Sequence, residues 1–88
     1  MVEKVIWTDE AKIEFDKVIK YLTENWSEDE VSGFIRSTNN VINYLYDHPR
    51  LFRKSGRKNI HEVLITPHNL MLYKVSAKKI EIVTFWDT

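Results

Sequence analysis

The sequence predicts an α+β domain in the order β-α-α-β-β-β, with an antiparallel helix hairpin packed on one face of a twisted, mainly antiparallel sheet. Three observations predict it. Apolar residues recur with a helical period from Ala11 to Leu45; they recur with a period of two from Ile60 to Trp86; and a short β-branched run, Val5-Ile6, precedes the first helix.

The first strand is EKVIW, residues 3–7, bounded by Thr8. Thr8 is a helix cap, and Asp9 and Glu10 in the first turn favour the positive helix end. Ala11, Phe15, Val18, Ile19, Leu22 and Trp26 then share one face, which reads as core, while Ile13 lies off it. ENWSEDEV interrupts the pattern and restarts it, since Ser27 with Glu30 three residues on is a capping-box signature. The second stripe is Val31, Phe34, Ile35, Thr38, Val41, Ile42 and Leu45, with Tyr44 off it and Asp47-His48-Pro49 at its end. Helices joined by so few residues run antiparallel. The runs NIHEVLI, LMLYKV and IEIVTFW are separated by TPHN and SAKK and read as a three-stranded meander. The first strand must join that sheet, because alone it leaves its backbone groups unpaired.

With 88 residues, the chain is expected to form one domain, 1–88. It has no Cys, which removes disulfides, thiolate nucleophiles and Cys-ligated zinc. No apolar run approaches the ~18 to 20 residues of a membrane span, and the start, MVEKVIWTDE, has no signal-peptide pattern. A cytoplasmic protein without a membrane role is expected. The formal net charge of +0 conceals a division. Residues 1–47 hold ten acidic and five basic side chains, hence −5, and residues 48–88 hold eight basic and three acidic, hence +5.

Arg50, Arg53, Lys54, Arg57 and Lys58 fall within nine positions, around the turn-forming pair Ser55-Gly56. Such a cluster suits a phosphate backbone or an acidic protein segment; a solvated loop is the plainer alternative. Cleavage of RNA by its own 2′-hydroxyl would need a base, an acid and a cation on the phosphorane. His61 and His68 are the catalytic candidates, against ordinary surface or polar roles; Glu62, adjacent to His61 in a strand, faces the other way. His48, His61 and His68 are widely spaced and form no HExxH pattern, so no metal or other cofactor is expected. Trp7, Phe15, Trp26 and Phe34 read as core. Tyr73 lies on the meander, where Phe85 and Trp86 point to opposite faces. An exposed Tyr73 or Trp86 would stack on a base or cover a partner strand. The second helix carries only Arg36 as a charge between Val31 and Tyr46, with Ser32, Gly33, Asn39, Asn40 and Asn43 opposite its stripe, a face suited to protein contact or to solvent.

Trp7 before an acidic helix start, Tyr21 and Trp26 in YLTENWSEDEV, Pro49 closing the second helix, ITPHNLMLYKV from Ile65 to Val75, and IEIVTFWDT from Ile80 onward together resemble the RelE/ParE toxin superfamily, over essentially the whole chain. The resemblance implies a toxin of a bacterial type II toxin–antitoxin pair, neutralised by a cognate antitoxin whose extended or helical tail wraps it. Tyr21 with Trp26 is more similar to the ParE and plasmid-stabilisation branch, which is associated with poisoning DNA gyrase by binding. The RelE branch instead cleaves mRNA at the ribosome without metal. Its nuclease members place an Arg on the middle strand of the meander, where this sequence has Leu70. Three readings stay open on these residues: a gyrase-binding toxin, an mRNA endoribonuclease, and a toxin fold that has lost toxicity. In each of the first two, Arg50, Arg53, Lys54, Arg57, Lys58, Tyr73 and Trp86 would contact partner or RNA.

Overall fold

The computed structural model describes residues 2–57 and 59–87. Its elements are β1 (Lys4–Trp7), α1 (Asp9–Asn25), α2 (Glu28–Asp47), β2 (Ile60–Thr66), β3 (Asn69–Ser76) and β4 (Lys79–Asp87), which is the expected β-α-α-β-β-β order. The strands form one sheet in the order β1-β4-β3-β2. β2, β3 and β4 are the antiparallel meander. β1 joins it at the far edge, parallel to β4, with Val5 opposite Ile80 and Trp7 opposite Ile82.

Capping chemistry sets where the helices begin. The Thr8 hydroxyl accepts the Ala11 N–H at 3.0 Å and donates to the Val83 carbonyl at 2.7 Å. Val83 is the extra residue of a β-bulge, since Leu72 pairs with Thr84 and Tyr73 with Ile82. One side chain thus satisfies a helix donor and binds a bulged carbonyl at once. Ser27 is the N-cap of α2, but the expected capping box is corrected: its side chain makes no cap hydrogen bond. Its backbone carbonyl instead accepts from the N–H groups of Glu30 and Val31. Thr8→Ala is therefore expected to cost about 1–2 kcal/mol and Ser27→Ala only a few tenths. Urea melts of the two variants measure the difference.

The bulge at Val83 decides which face each end of β4 shows. Ile80 and Ile82 point to the helices; strict alternation would continue with Thr84 and Trp86. The extra residue shifts the phase by one. Phe85 therefore turns inward, where its ring meets Trp7 at 5.6 Å, Phe15 at 5.4 Å and Phe34 at 6.3 Å, and Trp86 is left outside. Around this aromatic group lie Ala11, Leu45, Val63, Met71, Tyr73, Val75, Ile80 and Ile82, all buried. The core is thus the layer between the hairpin and one sheet face.

Burial fades along the hairpin. Ala11 is buried, Phe15, Val18, Ile19 and Leu22 are half-buried, and Trp26 at the bend is 60% exposed. Trp26, expected in the core, is corrected to a surface residue, because the hairpin tip extends beyond what the sheet covers. Ile35 is likewise exposed, at the margin of its stripe, while Ile13 and Tyr44 are exposed as their positions off the stripes require. No helix among the described residues is long and apolar enough to cross a membrane.

Candidate functional site

Where the hairpin tip overhangs the sheet it leaves an open cleft of about 1310 Å³. One wall is helical: Val18, Tyr21 and Leu22 of α1, Trp26 at the bend, and Gly33 and Phe34 of α2. The other is the β2–β3 turn, Thr66 to Asn69, with Phe85, Trp86 and Asp87 at the end of β4. Tyr21 is 58% exposed and Trp26 60%, so large amphipathic rings stand uncovered on the helical wall. A side-chain carbon added at Gly33 would meet nothing within 4 Å, so this stretch of wall is unfilled. At the rim Glu14 is paired with Lys17 at 3.0 Å, whereas Glu30 and Asp87 have no ion-pair partner among the described residues. An apolar concavity with aromatic walls and a mildly acidic rim has the chemistry to take up an amphipathic segment.

The cationic segment lies along the opposite end of β2. Arg53–Ser55 folds back against the start of that strand, with Lys54 bridged to His61. Asn59, at φ 61°, takes the left-handed conformation that the return requires and that Asn tolerates. The five cations do not act alike. Arg53 is neutralised by Glu62, through its Nε at 2.7 Å and its terminal guanidinium nitrogen. Arg57 lies over the Trp86 ring, 5.6 Å from its centroid. Arg50 and Lys54 are exposed and have no carboxylate partner among the described residues. Lys58 lies outside the described residues.

The histidines are not brought together. His61 is buried on the helix-facing side of β2, its Nδ1–H donates to the Phe52 carbonyl at 3.0 Å, and its ring stacks on Tyr73 at 5.2 Å. It holds the cationic segment down and presents no ring nitrogen to a surface ligand. His68 is exposed in the β2–β3 turn, where its backbone N–H donates to Thr66 Oγ1 at 3.1 Å. The two are seven positions apart along strand and turn, roughly 20 Å at ~3.3 Å per residue. Tyr73, expected at a partner surface, is fully buried, so the partner reading for it is corrected; Trp86, 44% exposed, remains accessible. Val18, Leu22, Trp26 and Phe34, all on stripes that the sequence marks as core, also line the cleft. The signal for them was the acidic, apolar-poor stretch after Trp26, which gives the bend nothing to pack against.

The Tyr73 hydroxyl is buried and has no hydrogen-bond partner among the described residues. Burial pushes its pKa up to about 12. Above pH ~10 the unfolded chain releases this proton while the folded chain keeps it, so stability falls as pH rises from about 10 to about 12. Tyr73→Phe is expected to be neutral or stabilising by up to ~1 kcal/mol at neutral pH. It should also lessen the alkaline decline by ~1–3 kcal/mol, read from urea midpoints at neutral and alkaline pH.

Solved structures of this architecture cover nearly the whole chain. The YoeB/ParE toxin from Agrobacterium tumefaciens superposes with a TM-score of 0.71 at 14% identity, covering 97% of this chain and 98% of that one. The chromosomal ParDE toxin–antitoxin system from P. aeruginosa gives a TM-score of 0.70 at 12% identity, covering 100% and 97%. The DinJ–YafQ complex from E. coli gives 0.62 at 9% identity, covering 94% and 90%. No curated protein sequence matches. Residues 5–88 match the family described as the ParE toxin of the type II toxin–antitoxin system, parDE. With Trp7, the Tyr21–Trp26 bend and the sheet, save its first residue Lys4, inside that span, the chain belongs to the ParE toxin family.

Proposed function

We propose that the protein acts in the cytoplasm as the toxin of a type II pair, arresting growth by binding a protein target, DNA gyrase, and being neutralised by an antitoxin helix seated in the cleft. The observation that carries this reading is the makeup of the cleft. Its walls are Tyr21, Leu22, Trp26, Phe34 and Trp86, groups that hold another polypeptide, whereas proton transfer to RNA would need titratable groups converging on one open spot. His61 is buried and His68 stands at the far end of β2, so these two candidates do not form such a pair among the described residues. The ParDE and DinJ–YafQ neighbours are toxin–antitoxin assemblies, which supports an antitoxin partner here. Arg50 and Lys54, exposed and without a carboxylate partner among the described residues, favour the second reading, a metal-independent mRNA endoribonuclease.

Induced expression in growing bacteria separates these. DNA damage with continuing translation is the expected result. Rapid translational arrest with cut transcripts would replace it with the nuclease, and unhindered growth would mean that toxicity has been lost.

A further inference from the structure

The charge division along the sequence becomes a division between the two ends of the molecule. The cleft places the hairpin tip, at Trp26, beside Asn69 and Asp87 at one end of the sheet. The other end holds the β3–β4 turn, where the Lys78 carbonyl accepts from the Glu3 N–H at 2.7 Å, and Asn59, whose carbonyl accepts from the Val75 N–H at 3.3 Å. The last turn of α2 lies there too, since the Tyr46 carbonyl accepts from the Val2 N–H at 3.3 Å. α2 runs from one end to the other, roughly 30 Å at ~1.5 Å per residue, in a molecule 39 Å long and 23 by 22 Å across.

The tip is acidic and bare. Every residue from Thr23 to Glu30 is exposed, Trp26 among them. Between Tyr21 and Ile35 the chain has Glu24, Glu28, Asp29 and Glu30 and no base, and none of these acids has an ion-pair partner among the described residues. The far end is basic. Lys54 is bridged to His61, Lys74 stands opposite Ile60 and Glu81, and Lys79 stands opposite Ser76 and Lys4. Lys78 takes up Glu3 at 3.6 Å. Lys54, Lys74 and Lys79 have no carboxylate partner among the described residues, and neither Asp47 nor Glu81, the other acids at that end, neutralises them. With a formal net charge of +0, no general repulsion holds two copies apart.

We propose that the protein associates with itself head to tail. The hairpin tip of one copy seats on the lysine-bearing end of the next, Glu24 and Glu28 against Lys54 and Lys74, with the Trp26 ring among those cations. Tip against tip would bring like charges together, so the contact joins two different patches. Because these lie at opposite ends of a long molecule, each added copy leaves a free tip, and the series grows as an open chain instead of closing as a two-fold dimer. Nothing in this contact requires an occupant in the cleft, so its loss would leave the cleft reading intact.

Sedimentation velocity of the full chain tests this in about 20 mM and about 300 mM salt, between which the screening length falls from roughly 20 Å to roughly 6 Å. At low salt the weight-average mass should rise by about twofold or more over a hundredfold increase in concentration, and at high salt it should stay that of one chain. The exposed double substitutions Glu24→Lys with Glu28→Lys, and Lys54→Glu with Lys74→Glu, should each abolish association, with folding checked by circular dichroism. An equimolar mixture of the two variants should recover it, since the reversed tip of one meets the reversed end of the other. A single chain at every concentration, growth that stops at two copies, or association that survives high salt would each overturn the proposal. So would two folded variants that stay monomeric when mixed.

Discussion

A Phe85→Ala protein is expected to melt roughly 15–30 °C below the parent. The Phe85 ring touches β1, α1 and α2 together, through Trp7, Phe15 and Phe34, and it is almost wholly buried. Removing a buried phenyl group costs about 3–5 kcal/mol, the lost transfer energy plus the cavity that neighbours fail to close. A chain of this length has only about 4–13 kcal/mol in total, and each kcal/mol shifts the midpoint by ~4–8 °C. Because Phe85 borders the cleft, the surroundings are free to relax on one side, which places the cost toward the lower end. Thermal unfolding followed by circular dichroism provides the number. A loss of less than ~1 kcal/mol would show that the hairpin and sheet are held together elsewhere.

Replacing Tyr21 and Trp26 together with alanine should have the opposite profile. Both rings are more than half exposed, so the change in stability should stay within ~0.5–1 kcal/mol. If they anchor a partner helix in the cleft, the affinity for the cognate antitoxin should fall by ~30-fold or more, about 2 kcal/mol. Titration calorimetry with purified antitoxin reads the affinity, and co-expression reads the consequence, since the variant toxin should escape neutralisation if it keeps its action on the target. Unchanged affinity with intact folding would move the antitoxin away from this cleft. Trp86→Ala probes the other wall, but it also releases Arg57 from its ring, which makes the helical pair the cleaner choice.

These two substitutions contrast because they sit at opposite ends of one burial gradient. The sequence places Trp26 on the same helical stripe as Ala11 and Phe15, and by period alone all three are core. Period reports the direction in which a side chain points and not how far the opposing layer reaches. The sheet stops short of the bend, so the same stripe is core at its start and open surface at its end. The cationic cluster shows the same limit. Nine consecutive positions held five bases, and their sequence foretold a basic turn. Which of them would be free depended on Glu62, nine residues after Arg53, and on Trp86, twenty-nine after Arg57.

Local information in the amino-acid order was enough to determine the succession of elements, the Thr8 cap, the inward faces of both helices and the meander, because each follows from periods and capping chemistry within a few residues. It also determined that Phe85 and Trp86 would part to opposite faces. Which of the two went inside was settled by the bulge at Val83, whose carbonyl is held by Thr8 from seventy-five residues away. The parallel seat of β1 beside β4, the burial of His61 beneath Phe52, and the cleft under the overhanging bend were decided in the same way. All are consequences of contacts between segments remote in the chain, whose geometry exists only once the layers have packed.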